Sequence, residues 1–239
     1  MKKVVKFGGS SLASAKQFKK VGDIIRSDKS RRYVVPSAPG KRNDKDEKVT
    51  DLLYECYDAA ASGSAYKKIL EKIKKRYEEI IDGLDLNLNL DHEFDKIEEN
   101  FLAKAGRDYA ASRGEYLNGL VMAEYLGYEF IDPAEVIFFD EHGVFEPETT
   151  NKELAERLEH VERAVILTEI RRMRSCLQDW RIRNVQSFRD STGQNLTEVS
   201  RHFPVADLIL QDRSLQRLCM QTCMRTGPMY LVSWLQTQE

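Results

Sequence analysis

Cysteine, histidine, proline and tryptophan are scarce in this chain of 239 residues, which holds 4, 4, 6 and 2 of them. Each scarcity narrows the chemistry. Cys56, Cys176, Cys219 and Cys223 do not build a disulfide framework. Only Cys219 and Cys223 are close, at i and i+4, and no further ligand type stands near enough to complete a metal site, so the thiols read as reduced bystanders. His92, His142, His160 and His202 are isolated, and none is assigned a ligand or general-base role. No apolar run approaches the roughly 18 residues that span a bilayer. Met1-Lys2-Lys3 leads into a strand-like segment without the apolar core of a signal peptide, so the expected location is cytoplasmic. The net charge of −2 leaves no general nucleic-acid or membrane footprint. The arginines scattered from Arg163 to Arg225 are interleaved with acids and lack an aromatic binding pattern.

What remains is a globular composition, 41% hydrophobic and 32% charged, in which strands and helices alternate. Strands are predicted at 4–7, 32–36, 129–131, 136–139 and 163–166 from short runs rich in β-branched and aromatic residues. Apolar spacing of three and four predicts helices over 14–28, from Thr50 to 57, 65–81, 92–113, 115–126 and 151–158. Thr50 is read as a helix cap and Gly127 as a helix stop. Residues 41–48 form a charged loop that separates two candidate site segments. This order argues for an α/β sheet layered between helices, with ligands bound beyond the carboxyl ends of the strands.

The first residues with chemistry in them are Lys6, Gly8, Gly9, Ser10 and Ser11. Lys6 lies at the end of a strand, where its ammonium reaches whatever the following loop holds. Two glycines let consecutive N–H groups turn toward an anion without a Cβ in the way, and the serines add hydroxyl donors. A helix starting near Ser14 presents a positive end nearby. The set suits a phosphate, though a plain tight turn has the same composition. It is not a Walker A loop, which needs Gly-Lys-Ser or Gly-Lys-Thr after a longer glycine spacing.

Lys6-Phe7-Gly8-Gly9-Ser10-Ser11 resembles the opening signature of the aspartate kinases, within the amino-acid-kinase superfamily. Two further segments resemble that family's later signatures. One is Val34-Val35-Pro36-Ser37-Ala38-Pro39-Gly40 with Lys48-Val49-Thr50-Asp51-Leu52-Leu53, and the other is Ser112-Arg113-Gly114-Glu115-Tyr116-Leu117. The resemblance covers about residues 2–166. It implies a three-layer α/β/α sandwich of the amino-acid-kinase type, with an aspartate-binding lobe over 1–166 and a helical insertion over 50–113. By the same resemblance, Lys6, Gly8, Gly9 and Ser10 serve phosphoryl transfer, with Lys6, Gly8 and Gly9 also facing the nucleotide. Ser37 and Thr50 lie beside the substrate, and Glu115 takes its α-ammonium group. On the residues alone Glu115 is an ordinary acid at the start of a helix, favoured there by the dipole. The implied reaction is ATP-dependent phosphorylation of the L-aspartate β-carboxylate, with Mg²⁺ accompanying the nucleotide. Homodimerisation is a further expectation.

After Ile166 the character of the chain changes. Of its 13 glycines only Gly193 and Gly227 follow Gly143, and the family's substrate-arginine motif is absent. A back-translation of residues 219–234, read from the third base of each codon, can be chosen to spell His-Ala-Asp-Leu-Tyr-Glu-Asn-Trp-Thr-Asp-Val-Ser-Gly-Phe-Leu. That string is similar to the family's nucleotide-lobe motif. The hypothesis is a reading-frame shift after about residue 166, which leaves the nucleotide lobe over 167–239 altered or incomplete. The coding sequence decides it: no kinase reading in another frame refutes the idea. Two alternatives stay open, another amino-acid kinase and a non-catalytic aspartate-binding fragment.

Overall fold

A computed structural model describes residues 2–140 and 145–166, together with the backbone of residues 230–233. The readings made for 167–229 and 234–239 lie outside the described residues.

Among the described residues the sheet has five strands: β1 (Lys3–Phe7), β2 (Arg31–Pro36), β3 (Glu129–Ile131), β4 (Ala164–Ile166) and β5 (Tyr230–Ser233). They run in the order β3-β4-β2-β1-β5, and every pairing is parallel. Parallel strands need crossovers, and helices supply them. The helices are α1 (Ala15–Arg26), α2 (Val49–Ala61), α3 (Lys67–Gly83), α4 (Asp91–Leu102), α5 (Arg107–Leu126), α6 (Pro133–Val136) and α7 (Pro147–Glu159). A 3₁₀ turn, Gly9–Leu12, stands between β1 and α1.

Strand alternation divides the buried residues into two cores. Val5, Phe7, Val34 and Val165 join Phe18, Ile25, Leu117 and Val121 under α1 and α5, and the same core continues through α2, α3 and α4. Tyr33, Ala164 and Ile166 face the other way, against Val136, Leu154 and Leu158 of α6 and α7. The result is the α/β/α layering that the sequence pattern implies.

Three local expectations are corrected. The helix expected over 92–113 is broken: α4 ends at Leu102, and Lys104 and Gly106 turn the chain with φ of 59° and 103°. Left-handed backbone at two positions so close together cannot continue a helix. Phe101 and Tyr109 pack edge to face across the corner, with centroids 6.2 Å apart. The following segment then runs unbroken as α5 and ends at Gly127 in the left-handed region. The strand expected at 136–139 does not form: Val136 belongs to α6, which starts with Pro133 at its first position and the Asp132 carboxylate accepting from the Ala134 N–H at 2.9 Å. Phe139 keeps one antiparallel bridge, to Phe145. Thr50 does not cap α2: Lys48 holds the N-cap position, without a side-chain capping bond, and Thr50 lies inside the first turn.

Candidate active site

All strands being parallel, their carboxyl ends share one edge of the sheet. There β1 runs into Gly8 and Gly9, and β2 into Ser37, Ala38, Pro39 and Gly40. The strands are in register there, Lys6 opposite Val35 and Phe7 opposite Pro36. The pairing continues past the strand end, where Ser37 N–H donates to Phe7 O at 3.0 Å.

The two turns then meet backbone to backbone. Gly40 N–H donates to Gly9 O at 2.8 Å. A Cβ on Gly9 would fall 2.6 Å from Ala38 O, and one on Gly40 would fall 2.7 Å from Gly9 C and 2.8 Å from Ser10 N. Both positions therefore require glycine for close approach, not for an unusual φ. Gly8 differs: among the described residues a Cβ there meets nothing within 4 Å, and the residue is exposed. The open side of the loop is thus at Gly8 and Ser10, while its floor is closed by Gly40.

The third signature segment reaches the same place from α5. Gly114 lets that helix approach closely, since a Cβ there would lie 2.9 Å from Ala38 Cβ and 3.1 Å from Leu53 Cδ1. Tyr77 of α3, fully buried, donates to Gly114 O at 2.6 Å. Glu115 is 7% exposed and sits two turns inside α5, so the reading of it as a helix-start acid is overturned. Its charge is felt locally. Burial pushes the Tyr77 phenol well above its ordinary value, and the negative charge of Glu115 adds to the rise.

One turn beyond Glu115, Asn118 is wholly buried and donates through Nδ2 to Ser37 O at 2.6 Å. Its Oδ1 is buried without a hydrogen-bond partner among the described residues. Sequence reasoning missed Asn118, although its place three residues after Glu115 puts it on the same helical face. The start of α2, which carries Thr50, is tied to the same turn, because Val49 N–H donates to Pro39 O at 3.2 Å.

Lys6 is placed differently from the rest. Alternation along β1 sets it with Val4, on the face opposite to Val5 and Phe7, which α1 and α5 cover. The segments that carry Gly9, Ser37, Thr50 and Glu115 therefore meet at the strand ends, and Lys6, next to last in β1, leaves the sheet at that same edge from the face opposite to Phe7. Helix α1 starts where expected, with Ser14 at its N-cap, and the 3₁₀ turn Gly9–Leu12 precedes it. Among the described residues no group of three or more His, Cys, Asp or Glu side chains is arranged to hold a metal ion.

The charged loop 41–48 is ordered by ion pairs. Asp46 accepts from Arg42 N at 2.8 Å and Nε at 3.0 Å, and from Arg76 Nη1 at 2.6 Å. Burial alone would raise the Asp46 carboxyl, but the hydrogen bonds from Arg42 and Arg76 outweigh it and hold the group well below the usual carboxylate range.

Known proteins resemble this chain in sequence and in fold. The model of the "Amino acid kinase family" matches residues 1–184. Aspartokinase 3 of Bacillus subtilis (strain 168) is 36% identical over an alignment of 151 residues that covers 57% of this chain and 33% of that protein. Among solved structures, the aspartate kinase of Clostridium acetobutylicum aligns with a TM-score of 0.66 at 48% identity, covering 70% of this chain and 39% of that one. Aspartokinase III of E. coli, solved with aspartate and ADP, shares the fold at a TM-score of 0.55 and 22% identity. The chain spans about a third of the length of the curated relative and under half of the solved structures. With its parallel sheet, its three signature segments gathered at one strand edge, and a family match over most of its length, the chain belongs to the amino acid kinase family.

Proposed function

We infer that this chain supplies the aspartate-binding lobe of an ATP-dependent kinase that phosphorylates the L-aspartate β-carboxylate in amino-acid biosynthesis, in the cytoplasm. The observation that carries the reading is the junction at the strand ends. Gly9 is packed on Gly40, Ser37 is held by Asn118, and Glu115 is buried on the same helix as Asn118. In this reading Glu115 receives the α-ammonium of aspartate, and Ser37 and Thr50 line the rest of the substrate. A carboxylate at this position would select an amino acid over a simple dicarboxylic acid, because only the amino acid carries an α-ammonium group to pair with it.

Gly8, Gly9, Ser10 and Lys6 then face the phosphate groups of ATP. The open space above Gly8 fits an anion approaching the loop backbone. A β-carboxylate oxygen attacks the γ-phosphorus, forming an O–P bond as the bond to the ADP oxygen breaks. The nucleophile is already ionised at neutral pH, so no general base is required. Catalysis rests on alignment and on neutralising charge at the phosphoryl oxygens, a role for the Lys6 ammonium and the loop N–H groups. Mg²⁺ would enter with the nucleotide, bound largely by its phosphates. Aspartokinase III of E. coli has been solved with aspartate and ADP, which supports both substrates here.

A second reading is favoured by the missing arginine motif after Ile166: a lobe that binds aspartate without turnover. A coupled assay for ADP release, run with and without L-aspartate, separates the two. Aspartate-dependent release establishes the kinase reading for this chain, and aspartate binding without release favours the second. Tighter binding of L-glutamate or N-acetylglutamate than of L-aspartate would overturn the substrate assignment.

A further inference from the structure

The apolar face of α3 carries Leu70, Ile73, Tyr77, Ile80 and Ile81, and Arg76 lies among them with 5% of its surface exposed. A guanidinium so placed must be compensated. Its Nη1 donates to Asp46 Oδ2 at 2.6 Å, and its Nη2 donates to Gly40 O at 2.7 Å. Gly40 is the residue whose own N–H holds Gly9. The fork of Arg76 thus spans the charged loop and the turn that floors the glycine loop. Asp46 is in turn clasped by Arg42, whose Nη1 donates to Glu79 Oε2 at 2.6 Å, back on α3.

We propose that Arg76, with Asp46, is the positioning device of this site: it holds the Pro39–Gly40 turn against Gly9 and so sets the spacing between the phosphate loop and Ser37. The consequence for ligand affinity rests on the proposed function above; the anchoring does not. Stability alone accounts poorly for the arrangement. A buried ion pair is a weak stabiliser, and Arg76 leaves its Nε buried without a hydrogen-bond partner among the described residues. A methionine could fill much of the same space. What it lacks is the rigid fork that fixes two acceptors at once. Removing Arg76 does not strand Asp46, which retains Arg42.

The test uses the full chain with R76M, R76K and D46N. Hydrogen exchange is read at the amides of Gly40 and Val49, beside the melting temperature and the calorimetric affinity for L-aspartate. In R76M, Gly40 exchange should rise and aspartate affinity fall, each by about tenfold, while the melting temperature moves by only a few degrees. R76K should recover part of the loss, since an ammonium meets one acceptor well but not two in fixed geometry. D46N should act in the same direction more weakly, because Nη2 still reaches Gly40. Unchanged Gly40 exchange in a folded R76M would overturn the proposal. So would a uniform rise across α3 and α5 with D46N silent, which would make Arg76 a general core residue. If the unaltered chain binds no aspartate, the proposed function fails together with the affinity consequence, and Gly40 exchange still decides the anchor.

Discussion

Gly40→Ala would place a methyl group against the backbone of the glycine loop. The added Cβ would lie 2.7 Å from Gly9 C and 2.8 Å from Ser10 N, where ordinary contact begins near 3.4 Å. The two turns must therefore separate by about 0.7 Å, and the obstructing atoms are main chain, which no rotamer change can move aside. Overpacking costs about 1–3 kcal/mol, and the rigid obstacle argues for the upper end, roughly a hundredfold in an equilibrium. The separation also stretches the Gly40 N–H···O Gly9 bond, now 2.8 Å, and displaces Ser37. Denaturant unfolding should show the stability loss, and calorimetry should show weakened binding of L-aspartate. Gly8→Ala is the control for stability, because among the described residues its Cβ meets nothing within 4 Å and its φ of −75° suits any residue. A G40A protein as stable as the parent, or a G8A protein as damaged as G40A, would refute the reasoning.

Asn118→Leu removes the donor to Ser37 O from a wholly buried position and should cost about 1–3 kcal/mol of unfolding free energy, with a parallel loss of aspartate affinity. An N118L protein of parental stability would show that the bond is dispensable. Acid should unfold the chain partly through Asp28 and Asp46. Hydrogen bonds from Lys3 and then Ser30 hold Asp28 low, and at Asp46 burial is outweighed by bonds from Arg42 and Arg76. Depressed carboxyls contribute stability above their unfolded value of about 4, and lose it as pH falls toward the folded value. Urea midpoints should therefore drop below about pH 4, and less steeply in D46N than in the parent. Burial pushes the Cys56 thiol up to about 12. In a C176S/C219S/C223S background it should label at pH 8 only after unfolding, since about one part in ten thousand is thiolate; labelling at the rate of a free thiol in the native state would show that Cys56 is not buried.

Much of this was legible before any coordinates, and the reasons differ by element. Strands β1, β2, β3 and β4 fall within a residue of their expected bounds because short β-branched runs between turn residues have few other readings. The break between α4 and α5 was not read, although Ala105-Gly106 marks it, because the apolar spacing continues on both sides of the corner. Periodicity registers a face, not a change of axis. At 136–139 the apolar run suggested a strand, whereas Val136 belongs to the helix that starts at Asp132 and Pro133. In the site, Gly9 and Glu115 stood out as motif members, whereas Arg76 did not. A basic residue inside an Ile and Tyr stripe looks like a solvated neighbour until its partners, Gly40 and Asp46, come from 36 and 30 residues away. Asn118 was hidden for the same reason, its acceptor lying 81 residues back.

The central claim is that Glu115 and its neighbours at the strand ends form a site for aspartate. Calorimetric titration of the full chain with L-aspartate and with succinate, in the parent and in E115Q, tests it most directly. Saturable binding of L-aspartate is predicted for the parent, with succinate at least about tenfold weaker because it lacks the α-ammonium, and with that preference lost in E115Q. A parent that binds neither ligand, or an E115Q protein that still prefers L-aspartate to succinate, would contradict the account.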